Sequence, residues 1–246
     1  MWRNIWILYK REFASYFHIP AVTVGLILFL VLSGVANFYF GNFFTRGQAD
    51  LLSFFSFHPW LYMLFIPALT MRTWSEERKT GSIELLFTLP ITVMEIVLAK
   101  FFAAWSFVAV ALSLTFPLWI TINYLGDPDN ATIAACYFSS ILMAGGFVAI
   151  GVCISAYTKH QMMALSASTS VYLGLNIIGI PTVMESLPHW IPTSIIQSFS
   201  NISFITNFDA VNGGLLKVSS LLYFTTLMLF FIIVNKFIIE SKRLVE

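Results

Sequence analysis

Residues 21–40 run for twenty positions without one Asp, Glu, Lys, Arg or His. At about 1.5 Å per residue, a helix of that length spans a hydrocarbon core ~30 Å thick. Five further apolar runs follow at 53–71, 93–124, 132–157, 162–180 and 221–239. No soluble surface can be assembled from what remains. Only 10% of the chain is charged and 58% is hydrophobic, whereas soluble domains carry roughly 25% charged residues. The fold class expected is an all-α integral membrane domain of six crossings occupying residues 1–246. Pro117 predicts a bend or break in the long third run.

Residues 1–16 read as a helix on the membrane surface. Trp2, Ile5, Trp6, Tyr9, Phe13 and Tyr16 recur at helical spacing, and Arg3, Asn4, Lys10, Arg11 and Glu12 fall largely elsewhere. No cleavable signal peptide is evident ahead of the first run. Cys136 and Cys153 fall in one predicted crossing, about 25 Å apart along it, and are read as packing residues.

Placing the N-terminus inside puts Arg3, Lys10, Arg11, Arg72, Arg78, Lys79, Lys100, Lys159, Lys236, Lys242 and Arg243 on the inner side. Only Arg46 and Lys217 fall outside. That asymmetry is the positive-inside pattern, and the reverse orientation would invert it. Asp50, Asp127, Asp129, Glu185 and Asp209 then lie outside, which the pattern tolerates.

The segment 72–92 interrupts this apolar chain with Arg72, Glu76, Glu77, Arg78, Lys79 and Glu84. Ser75 is the expected N-cap, with Glu76 and Glu77 in the first turn where the helix dipole favours anions. Gly81 permits a bend, and a second short helix over 82–89 presents Ile83, Leu86 and Phe87 on one side before Leu89-Pro90 stops it. A loop that only fixed topology would need cations alone. The hinge glycine, the three glutamates and the apolar ridge point instead to a surface for a partner protein.

The run EERKTGSIELLFTLPIT (76–92) resembles the coupling helix of type 2 ABC transporter permeases, the membrane subunits of ABC exporters. Three further stretches are similar: PALTMRTWSEERKTG (67–81), ISAYTKHQMMAL (154–165) and NFDAVNGG (207–214). Together they look most like the permeases associated with bacterial gliding-motility ABC transporters, a branch related to the permease of nitrous oxide reductase maturation. VNGG at 211–214 departs from a more charged segment in that pattern.

The resemblance covers essentially the whole chain. It implies an amphipathic elbow helix over 1–19, a coupling insert over 72–92 and re-entrant outer helices within 181–220, in a bacterial inner-membrane protein with both termini cytoplasmic. It further implies that Glu76, Glu77, Arg78, Lys79, Gly81, Glu84 and Leu85 lie at or near the contact with a cytoplasmic ATP-binding subunit. Lys159 and His160 in the inner turn fit a secondary contact, although a basic inner turn is expected on topology alone, and the elbow adds Lys10, Arg11 and Glu12.

On physical grounds the segment 181–220 fits two arrangements. Pro181, Pro188 and Pro192 break it, and Ile195, Ile196, Phe199, Ile202, Phe204, Ile205 and Phe208 make it apolar. Short helices buried by protein and amphipathic helices on the lipid surface both satisfy that pattern.

No GxxxxGK[ST] phosphate loop is present, and GGLLKVS at 213–219 lacks its spacing. ATP and Mg are therefore expected in the partner subunit, with no cofactor held by this chain and no nucleic acid as partner. The lipid bilayer and a second permease, identical or related, complete the expected surroundings. Ser166, Ser168, Thr169, Ser170 and Asn176 give the fifth run a polar line. Such a line suits a path between two subunits, or helix packing, which is the commoner use of small hydroxyl residues. Gly145 and Ala149 read as a close helix crossing. An intramembrane enzyme is disfavoured, because His58 and His189 lack a nucleophile or paired-acid setting. A non-transporting anchor that only transmits force is the alternative to a transport pathway.

Overall fold

The computed structural model describes residues 2–48, 50–88, 90–185, 197–198, 200–212 and 217–243. Among them every regular element is helical. The first two are α1 (Trp2–Tyr16) and α2 (Pro20–Val35), and a π-helical turn at Ala36–Phe40 extends α2 into the short α3 (Phe43–Arg46). Pro20 occupies the first helical position, where its missing N–H costs nothing. The second apolar run divides at Phe57 into α4 (Leu52–Ser56) and α5 (His58–Thr70), with Pro59 in the first turn of α5.

Two short helices, α6 (Ser75–Thr80) and α7 (Ser82–Thr88), form the insert; Leu89, expected to end it, lies outside the described residues. Next come α8 (Val93–Ser113) and α9 (Phe116–Leu125), separated by Leu114 and Thr115 just ahead of Pro117, as the sequence predicts. Thr92 and Glu95 start α8 as a reciprocal capping box: the Glu95 amide donates to Thr92 Oγ1 at 3.3 Å, and the Thr92 amide to Glu95 Oε2 at 2.9 Å. Asp129 caps α10 (Asn130–Tyr157) by accepting from the Ala131 and Thr132 amides. The remaining helices are α11 (Gln161–Ile177), α12 (Pro181–Glu185), α13 (Phe204–Asn212) and α14 (Val218–Arg243).

Among the described residues, four stretches are long and apolar enough to cross a bilayer: Pro20–Arg46, Val93–Leu125, Asn130–Tyr157 and Val218–Lys242. The predicted second and fifth crossings correspond to α5, with 13 residues, and α11, with 17. These are shorter than the expected runs because Phe57 and the Ile178–Ile180 turn interrupt the helices.

α10 is the central helix, packed against α5, α8, α11, α13 and α14. Gly145 lets Met228 of α14 and Trp105 of α8 close onto it, so the small-residue crossing expected at Gly145 and Ala149 is a three-helix contact. Some polar groups in this core pair across helices. Tyr62 and Ser140 share a 2.7 Å hydrogen bond, and Asn176 Nδ2 donates to the Pro59 carbonyl at 3.2 Å. In the segment expected to lie outside, α13 buries one face against protein: Phe204 stacks on Phe147 at 4.1 Å, and Phe208 and Val211 are fully enclosed, while Asp209 is exposed. Pro188, His189, Pro192, Ile195, Ile196 and Phe199 lie outside the described residues. Cys136 and Cys153 are buried thiols, and Cys136 Sγ donates to the Val211 carbonyl at 3.9 Å.

Candidate functional site

Charged residues from α1, α6, α8 and α14 converge at one end of the bundle, where α10 ends. Lys100 of α8 is only 1% exposed. Its Nζ donates to the Thr73 carbonyl and to Glu77 Oε1, both at 2.8 Å, and lies 3.5 Å from Glu12 Oε2 of α1. The ammonium also sits 4.9 Å from the centre of the buried Trp74 ring, within cation–π range. Arg11 closes the cluster, 2.7 Å from Glu12 and 4.0 Å from Glu77. Burial pushes the Glu12 carboxyl upward, but Lys100 and Arg11 outweigh it and hold the group below its ordinary value of 4.5. Its depressed value makes its contribution to seating α1 complete at neutral pH, to be lost as pH falls through that lowered value.

The opposite flank of α6 is fixed to α10. Arg78 Nη1 donates to the Ala156 and Tyr157 carbonyls at 3.1 and 2.9 Å. Lys242 of α14 donates to the same two at 2.8 and 3.1 Å. These are the last carbonyls of α10, where unpaired acceptors and the negative end of the helix dipole both favour cations.

Ser75 is not the N-cap expected from the sequence. Position 74 holds that place without a side-chain bond, and the Ser75 hydroxyl turns back to the Met71 carbonyl. The capping oxygen comes from α10 instead: Ser155 Oγ accepts from the Trp74 and Ser75 amides at 3.1 and 3.3 Å and donates to Met71 O at 3.1 Å. Gly81 does form the hinge, at φ +73°, a left-handed conformation that glycine adopts without penalty.

The nine expected contact residues therefore divide by environment. Glu77 and Arg78 face the bundle. Glu76 is half-buried and paired with Arg72, whose Nε donates to Glu76 Oε2 at 2.7 Å. Lys79, Gly81, Glu84 and Leu85 face outward, Leu85 with 70% of its surface exposed. α7 holds its place by burying Ile83 and Leu86 on the other side. Lys159 and His160 are exposed in the turn that follows Tyr157, next to the Arg78 anchor.

The polar line of α11 is spent largely on backbone. Ser166, Thr169 and Ser170 donate to the carbonyls of Met163, Leu165 and Ser166. Ser166 and Ser170 also lie on the exposed face, and Asn176 is buried against Pro59.

Two residues central to this end were not singled out from the sequence, although Ser155 lies within the similar stretch 154–165. Lys100 read from sequence as one more inner-side cation; a charge several residues inside an apolar run was the available signal, since such groups are rarely without a partner. Ser155 gave none of its own.

No curated protein matches the chain at a significant level. The model of the ABC-2 family transporter proteins matches residues 61–238, which takes in the insert, α10 and most of α14. That match covers well over half of the 246 residues. The chain thus belongs to the ABC-2 family of transporter proteins.

Proposed function

We propose that this ABC-2 family membrane protein is the permease subunit of an ATP-driven exporter, most like the gliding-motility-associated branch. Six helices cross the inner membrane of a bacterium with both termini in the cytoplasm, α1 serving as the elbow and α6–α7 as the coupling helix. Two permeases pair to enclose a pathway, and separate ATP-binding subunits hold ATP and Mg and perform the hydrolysis.

One observation carries the reading. The insert is bonded to α1, α8 and α10 on its inner side while Lys79, Glu84 and Leu85 are presented outward. A loop with no partner has no cause to be braced so firmly while exposing a leucine. Within the proposed contact set, Lys79, Gly81, Glu84, Leu85, Lys159 and His160 form the touching surface, and Glu76, Glu77 and Arg78 hold it in position. Ser166, Thr169, Ser170 and Asn176 remain the proposed pathway side, with the exposed Ser166 and Ser170 nearest a second subunit.

Affinity purification from the native membrane, followed by reconstitution in vesicles, tests the proposal. An ATP-binding subunit should co-purify, and ATP should drive net movement of a co-purifying solute across the vesicle wall. ATP hydrolysis without any movement would favour the force-transmitting anchor instead. In that complex, Glu84→Arg should reverse the charge of the outward face, and Gly81→Pro should forbid the +73° hinge. Both are expected to abolish stimulation of the ATPase by the permease while leaving membrane insertion intact, and normal stimulation in both would remove the docking role. A reporter fused after Glu246 should be accessible only from the cytoplasmic side, and labelling from the periplasm would overturn the six-crossing topology.

A further inference from the structure

Lys100 links three segments distant in sequence. We propose that it is a positioning residue for force transmission, locking the elbow helix α1 and the insert helix α6 onto α8 so that the three move as one body. Its purpose rests on the permease reading, but the link is a property of this chain alone.

An ammonium has three donors, and each here has an acceptor in reach. Thr73 O and Glu77 take two at 2.8 Å, and Glu12 stands 3.5 Å away for the third. Thr73 lies on the approach to α6, Glu77 within it and Glu12 on α1, so a single buried cation meets both elements. A buried ion network of this kind adds little net stability over apolar packing of the same volume. What it supplies is geometry, because moving either carboxylate strands a charge out of water.

Close packing does not duplicate the link. A cavity of about 140 Å³ lies beside it, bordered by Glu12, Ser15, Tyr16, Thr73, Glu77 and Lys100. Displacement of α6 would otherwise be absorbed in this gap. With Lys100 in place it is delivered to α8 and α1, while Arg78 and Ser155 deliver it to α10.

The test measures distances between spin labels at the exposed positions of Arg3→Cys on α1 and Thr80→Cys on α6, both outside the proposed contact set, in a Cys136→Ala, Cys153→Ala background. In lipid nanodiscs the otherwise unmodified chain should give one narrow distribution, unchanged in the ATPase complex between nucleotide-free and ATP-trapped states. Lys100→Met alone leaves two facing carboxylates and risks misfolding. The informative variant is therefore the charge-neutral Glu12→Gln, Glu77→Gln, Lys100→Met triple, with Glu12→Gln, which cuts only the α1 arm, as the milder second.

Both should broaden the distribution, and Lys100→Arg should keep it narrow. With the triple variant, permease-stimulated hydrolysis should fall about tenfold, an ordinary size for coupling between sites, with binding of the ATP-binding subunit retained. A narrow distribution surviving in the variants, or an α1–α6 distance that changes with nucleotide in the otherwise unmodified chain, overturns the proposal. Absence of any ATP-binding subunit would instead sink the permease reading, and the distances in the isolated chain would still decide the link.

Discussion

Replacing Gly151 by valine should prevent the bundle from closing. Gly151 lies in α10 where α5 and α11 approach, and a Cβ built there overlaps the hydroxyls of both Thr70 and Tyr172. Neither hydroxyl is free to swing away: Thr70 Oγ1 donates to Ile66 O at 2.9 Å, and Tyr172 donates to the Phe147 carbonyl inside the core. Overpacking costs about 1–3 kcal/mol, and each displaced hydroxyl adds about 1 kcal/mol. A total near 4 kcal/mol corresponds to a drop of roughly 10 °C in thermal midpoint, or to loss of the folded protein on purification. Gly34→Ala is the control, since nothing lies within 4 Å of its added Cβ. Equal melting of the two variants would show that α5, α10 and α11 do not meet as described.

The membrane-borne helical plan was legible because its signals are local. Run length marked most of the crossings, Pro117 the break between α8 and α9, and Gly81 the hinge of the insert. The interruption at Phe57 was not read from the sequence, although Ser56, His58 and Pro59 beside it carried the signal, because the apolar residues resume on both sides. The site was legible only as a segment. A charged stretch shows that an insert has something to hold, but which of its charges turn inward depends on helices that arrive much later in the chain. Glu77 and Glu84 look alike in sequence; Lys100 claims the first, and nothing among the described residues claims the second. Arg78 likewise reads as an outward cation until the end of α10 offers its carbonyls.

Ser155 is the sharpest case of such long-range dependence, and its removal has the second large expected effect. Ser155→Ala should leave the fold of α10 intact and release the start of α6. The lost oxygen is the acceptor for two backbone amides, Trp74 and Ser75, in a buried setting. An amide stranded away from water costs about 1–3 kcal/mol. Amide hydrogen exchange across 71–75 should accelerate by roughly 10–100-fold, since opening then recovers that cost. Exchange within α8 and the middle of α10 should stay as it was. Ser155→Thr keeps the hydroxyl and should restore slow exchange if its methyl is accommodated; Ser155→Cys, with a weaker acceptor, should fall between. The same loosening should lower ATPase stimulation in the assembled complex, because α6 would then be braced by Lys100, Arg11 and Arg78 without its cap from α10. Unchanged exchange at 71–75 in Ser155→Ala would mean that α6 caps itself, and that α10 receives motion from the insert through Arg78 only.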